Sequence, residues 1–263
     1  MHSKVILTIG GSDSGGGAGI QADLKTFMAL KIHGCSVITC LTAQNSLGVY
    51  GVEAAKVEFI CKQLDVVFLD FEIKSIKTGM LLNESIIKNT ANKLENYRVP
   101  KIIDPVMVSR TGSQLLEENA IEAYKKLLFP QAEIVTPNIY EAKLLTNMDI
   151  NNEADMEEAG KKILRLGVKS VFIKGGGIPR LKGKDFFIDI NGKKQWLVNN
   201  FVKTNNTHGS GCTLSAAICG YLGKGFELIE SINKSKLFVE KCLKNSYQIG
   251  SGPGPLGHSE NFD

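Results

Sequence analysis

No stretch of the 263-residue sequence approaches the ~18 consecutive apolar residues of a membrane-spanning helix. The N-terminal apolar run, residues 5–9, is too short for the core of a signal peptide. Six cysteines include no C-x-x-C pair, and four histidines supply no spaced metal partners, so a zinc site is not expected. These cysteines read as reduced thiols in a cytoplasm. Charge of one sign is scarce: 31 basic against 27 acidic residues leave a scattered net +4. Nucleic acid and anionic membrane are therefore not indicated, although a small anionic ligand fits. Linkers, repeats and low-complexity segments are absent too, which favours one domain over two.

The chain is 43% hydrophobic and 22% charged, the balance of a folded globular protein rather than a disordered one. Short apolar runs alternate with amphipathic segments. Strands are expected at 5–9, 36–41, 75–78, 101–103, 134–136 and 170–174. Helices are expected from residue 20 to 28, from 60 to 68, and over 84–94, 115–128, 156–166, 214–222 and 227–245. Near-continuous apolar strands between such helices imply a mostly parallel sheet covered on both faces. Residues 186–190 and 195–198 flank Asn191-Gly192, a hairpin signal, so an antiparallel edge follows the parallel part.

Six of the 27 glycines lie between Gly10 and Gly19. A P-loop fails there, because Lys25-Thr26 follows Leu24 instead of glycine. A dinucleotide fingerprint can be forced on Gly17-Ala18-Gly19. The first strand has ended earlier, however, and no acid stands near the end of the second. Two readings remain open: a substrate loop into which Asp23 reaches, or a tight turn with Asp23 on a solvated helix face.

A second cluster, Gly209-Ser210-Gly211-Cys212, opens an apolar helix of small residues. Free backbone N–H groups and the helix dipole would make an anion site there. Cys212 in the first turn is expected to favour thiolate; a buried structural cysteine is the alternative. Single polar residues stand at other strand ends: Asp104, the pair Asn138 and Glu141, and Lys174. Each has a plain structural reading as turn cap, first-turn acid or surface lysine. Together they look like a metal–phosphate site, since Mg²⁺ needs few protein oxygens.

These residues lie in a series of motifs. GGSDSGGGAGIQADLKT (residues 10–26) is followed by LTAQNS (41–46), KTGML (77–81), DPVMV (104–108), TPNIYEA (136–142), IKGG (173–176) and HGSGCTLSAAI (208–218). The series resembles the hydroxymethylpyrimidine/phosphomethylpyrimidine kinases of thiamine biosynthesis, a branch of the ribokinase superfamily. The first and last motifs are the specific ones. The resemblance implies a ribokinase-like three-layer α/β sandwich, ATP, Mg²⁺ and a homodimer. It places Gly11, Ala18, Asp23, Gln44, Met80 and Val106 around an aminopyrimidine. A glutamine amide can pair at once with a ring nitrogen and its neighbouring amine. Asp104, Asn138 and Glu141 would serve the metal, and Lys174 the phosphate charge. Gly209, Ser210, Gly211 and Cys212 would form the anion hole.

Cys212, where most ribokinase relatives have Asp, points to the pyrimidine branch. Gly177 departs from a common His, Ser210 from a common Thr, and Ser109-Arg110-Thr111-Gly112 from a smaller-residue version. The activity implied is two transfers from ATP, first to the hydroxymethyl group and then to the monophosphate, with Cys212 as base mattering more in the first. The rivals are a pyridoxal-type kinase of the same fold and a non-catalytic pyrimidine-binding protein. The tail, residues 250–263, is either a mobile end or a flap over the site.

Overall fold

The computed structural model describes residues 4–108, 116–198 and 202–259. Ser109-Arg110-Thr111-Gly112 and the last four residues of the tail lie outside them. In chain order the elements begin β1 (Val5–Asp13), α1 (Gly19–Ala29), β2 (His33–Gln44), β3 (Val49–Ala54), α2 (Val57–Asp70), β4 (Ile73–Thr78), α3 (Glu84–Leu94) and β5 (Lys101–Ile103). They continue with α4 (Glu118–Ala123), β6 (Ile134–Val135), α5 (Ile139–Thr146), α6 (Glu153–Leu164), β7 (Ser170–Lys174), β8 (Lys184–Asp189), β9 (Lys194–Val198), α7 (Ser210–Gly223) and α8 (Leu228–Lys244).

The described strands form one nine-stranded sheet in the order β3-β2-β1-β4-β5-β6-β7-β8-β9. Pairings from β2 through β7 are parallel. Two apolar layers hold the sheet between helices. One gathers Ile60 and Leu64 of α2, Ile87 of α3, Ala142 of α5 and Ile163 of α6. The other gathers Phe27 of α1, Ala216 and Ile218 of α7 and Ile232 of α8. This is the expected three-layer arrangement. Residues of β7 show why its strand was plain in the sequence: Ser170 through Ile173 are all buried, as a strand covered on both faces requires.

Small residues bring α7 close to the sheet. A methyl group on Gly223 would lie 2.6 Å from Ser75 Oγ, so any side chain there forces the helix outward. At the other end of the helix, Gly209 has φ +83°.

Three differences from the expected elements bear on the site. First, β1 does not stop at Ile9. It runs through the two glycines to Asp13, held by Ser12 against Leu41 and Asp13 against Thr42 of β2. The gap before Gly17 is thus shorter than the sequence pattern indicated. Second, both edges are antiparallel, because β3 pairs with β2 beside the anticipated β8–β9 hairpin. Every residue of β3 is exposed, so it carries no burial alternation to read. Third, the helix expected over 115–128 is α4 followed by a π-helical turn, Tyr124–Leu128.

Candidate active site

The parallel strands deliver their C-terminal ends to one side of the sheet, where open α/β sheets bind ligands. Asp13 ends β1, Gln44 ends β2, Asp104 follows β5 and Lys174 ends β7. The start of α7 joins them: a Cβ built on Gly211 would lie 3.4 Å from Lys174 Nζ. The glycine-opened helix and the lysine, 37 positions apart in the chain, therefore share one spot.

Lys174 donates to Asp104 Oδ1 at 2.9 Å. Asp104 also accepts from Thr136 Oγ1 at 3.1 Å and from Ser215 Oγ at 2.9 Å. The expectation made Asp104 a metal group; in this arrangement three donors engage its two oxygens, and it anchors Lys174. Burial works against the lysine's charge, but Asp104 and Glu141 outweigh it and hold the Lys174 pKa above its ordinary value. A cation is thereby fixed beside the helix start.

Asn138 and Glu141 form a capping box on α5. Asn138 Oδ1 accepts from the Glu141 backbone at 3.0 Å, and Glu141 Oε2 accepts from the Asn138 backbone at 2.8 Å. Such boxes set helix starts. Glu141 is 2% exposed, and burial pushes its carboxyl up to about 7 despite Lys174. Among the described residues no group of three or more His, Cys, Asp or Glu gathers as a metal cluster. The donor set nonetheless suits a hydrated Mg²⁺, which takes oxygen ligands and keeps most of its waters.

Cys212 differs from its expected chemistry. Desolvation by burial pushes its thiol up to about 11; Lys77 opposes that rise, while Asp23 and Asp104 add to it. The dipole of a helix start favours thiolate, but burial together with these two carboxylates outweighs it here. The thiol is neutral near pH 7.

Asp23 is also placed differently from the reaching side chain anticipated. It is 1% exposed. Its Oδ1 accepts from Lys77 Nζ at 2.5 Å and its Oδ2 from Thr8 Oγ1 at 2.6 Å. Neither Lys77 nor Thr8 was singled out from the sequence. β4 reads IKSIKT and carries two lysines, which the sequence alone does not tell apart; only Lys77 is fully buried, and a buried ammonium requires a partner. Gly11 and Met80 come together: a Cβ on Gly11 would lie 3.7 Å from Met80 Cβ. Val106 is half-buried just beyond β5, and Ala18 precedes α1, its N–H donating to Asp13 Oδ2 at 2.8 Å. Gln44 lies beside His208, the first residue of the motif at 208–218; the side-chain nitrogens of the two are 3.4 Å apart.

A family model described as phosphomethylpyrimidine kinase matches residues 13–257. The chain belongs to this family. It is 46% identical to a hydroxymethylpyrimidine/phosphomethylpyrimidine kinase of Synechococcus elongatus, over 98% of both chains. A solved phosphomethylpyrimidine kinase from Clostridium difficile is 42% identical with a TM-score of 0.80, over 90% of this chain and 97% of that one. The ADP complex of a Bacillus subtilis pyridoxal kinase is 35% identical with a TM-score of 0.89, over 97% of each chain. The motifs at 10–26 and 208–218 thus belong to a family whose fold neighbours include pyridoxal kinases as well as pyrimidine kinases.

Proposed function

We propose that the protein transfers phosphoryl groups from ATP to 4-amino-5-hydroxymethyl-2-methylpyrimidine, giving its monophosphate and then its diphosphate for thiamine biosynthesis. The observation that carries this reading is the Lys174 ammonium at the N-terminus of α7, on the sheet edge that also presents Gln44. Phosphoryl transfer needs positioning and charge stabilisation more than covalent chemistry. Lys174 and the backbone of Gly209, Ser210, Gly211 and Cys212 neutralise charge on the transferred group. Asn138 and Glu141 would hold Mg²⁺ through its waters, and the ion would supply further charge neutralisation at the phosphates. Gln44 pairs with the ring nitrogen and amine, against walls from Gly11, Ala18, Met80 and Val106. Asp23 works one layer further back, through Lys77.

The test is mass spectrometry of the products from the pyrimidine and ATP-Mg²⁺. A diphosphate product is expected. The second reading, a pyridoxal-type kinase, rests on the fold likeness to pyridoxal kinases. Faster phosphorylation of pyridoxal, with no pyrimidine diphosphate formed, would establish it instead.

The neutral thiol favours Cys212 as part of the anion hole over Cys212 as resting base. Cys212→Ala keeps the backbone N–H of that position, so each transfer is expected to hold its rate within about threefold. A loss confined to the first transfer, in which an alcohol must shed its proton, would restore the base.

The chain reads as one kinase domain, and we propose a cytoplasmic homodimer. Self-association is supported by Leu41, Leu47, Val49, Tyr50 and Val52, all exposed on the β2–β3 edge. No helix among the described residues is long and apolar enough to cross a membrane.

A further inference from the structure

We propose that His208 is a positioning residue for the pyrimidine: it fixes the Gln44 amide and ties it to the loop that opens α7. The inference rests on the reading of Gln44 as the aminopyrimidine contact.

Asp13 is the hub. Its Oδ1 accepts from the Gly15 backbone at 2.8 Å. Its Oδ2 accepts from the backbones of Gly17 at 3.1 Å and Ala18 at 2.8 Å, and from His208 Nε2 at 2.9 Å. Burial raises the Asp13 carboxyl, but His208 and these backbone donors outweigh it, and the group lies below its ordinary value. An ionised carboxylate only accepts, so the His208 tautomer facing it carries hydrogen on Nε2. That nitrogen has no lone pair left for Gln44, whose amide nitrogen stands 3.4 Å away. The contact is steric: Gln44 Oε1 accepts from Thr42 Oγ1 at 3.3 Å, and the His208 ring closes the other side of the amide, whose hydrogens remain for a ligand.

His208 is itself held from both sides. A Cβ on Gly17 would come within 2.3 Å of His208 Cδ2, so the ring packs directly on the first glycine loop. The next residue, Gly209, is seated equally close, with a Cβ position 1.8 Å from Gly17 O. The His208 N–H donates to Gly254 O at 3.1 Å. The tail then continues the tie, with Gly254 N–H donating to Asn206 Oδ1 at 2.9 Å and Gly252 N–H to Ser46 Oγ at 3.0 Å. Ser46 lies two residues beyond Gln44. The tail thus joins the loop after β2 to the loop before α7, and His208 sits at the joint.

Steady-state kinetics of His208→Ala test this. The pyrimidine KM is expected to rise about tenfold, while kcat and the ATP KM change less than about twofold. His208→Gln, which can place an N–H donor near the position of Nε2, is expected to restore the pyrimidine KM to within about threefold. In a Gln44→Ala background, adding His208→Ala is expected to raise KM by less than about twofold, since the residue acts through Gln44. A tenfold additive rise in that background overturns the proposal, as does a joint fall of kcat and rise of both KM values. A Gln44→Ala variant with unchanged pyrimidine KM overturns it differently, by removing the Gln44 reading beneath it. If alanine compromises folding, as judged by thermal melting, His208→Asn reads the same split, because its donor falls short of Asp13 Oδ2.

Discussion

Lys174→Ala is expected to lower kcat by about 10²- to 10³-fold, with the pyrimidine KM changed less than about threefold. The asymmetry follows from where the ammonium sits. It ends β7 beside Gly211 and is pinned at 2.9 Å by Asp104. In the proposed reaction it would meet charge that develops on the transferred phosphoryl group, whereas Gln44 and the ring walls would meet the resting substrate. Asp104 keeps Thr136 and Ser215 as donors when the lysine is removed, so the loss reads as catalysis instead of collapse, and a thermal melt of the variant checks this. Lys174→Arg is not expected to rescue fully, because a planar guanidinium presents a fork where the site holds a compact charge. A kcat within about threefold of the parent would remove Lys174 from the phosphate site and leave its ion pair as structural.

The same lysine shows what was legible without coordinates. Strand 170–174 and helix 84–94 match β7 and α3 because each is governed by its own pattern. In β7 that pattern is a run of buried residues. In α3 it is an amphipathic repeat behind Asn83, whose Oδ1 caps the Ile86 N–H at 3.0 Å. β3 was not legible, because a fully exposed edge strand has no such pattern, and its pairing with β2 is a tertiary fact. Nor was the end of β1, where glycines carry no side chains to alternate.

Motif order named Lys174, Gln44 and Gly209 through Cys212 as candidates, and the fold sets them on one side of the sheet. Motif order could not show how burial and neighbouring charge set their chemistry. Cys212 was read from one favourable dipole, and Asp23 and Asp104 shift the balance through space. His208 and Asp13 stand 195 positions apart in the chain, a pairing that no local spacing encodes.

Lys77→Met is expected to destabilise the fold by about 3–5 kcal/mol, because it leaves the Asp23 carboxylate buried with no cation. The side chains of Lys77 and Asp23 are 1% and 2% exposed, so water cannot take over. Burial opposes the Lys77 charge, yet the Asp23 carboxylate beside it keeps its pKa above the ordinary lysine value. Burial raises the Asp23 carboxyl, while Lys77 and the Thr8 hydroxyl oppose that rise, so the carboxylate depends on the lysine beside it. A fall of about 10 °C in Tm is the expected reading for a chain of this size. Lys77→Met combined with Asp23→Asn is expected to recover most of that loss, since an amide costs less to bury and still accepts from Thr8 Oγ1. The double variant also separates two roles. If Asp23 acts only as the partner of Lys77, the restored fold keeps its pyrimidine KM; if Asp23 also contacts the ring, stability returns while KM stays raised. A single Lys77→Met variant melting within about 2 °C of the parent would mean that Asp23 has protonated at little cost, and that the pair is not the electrostatic anchor of the site.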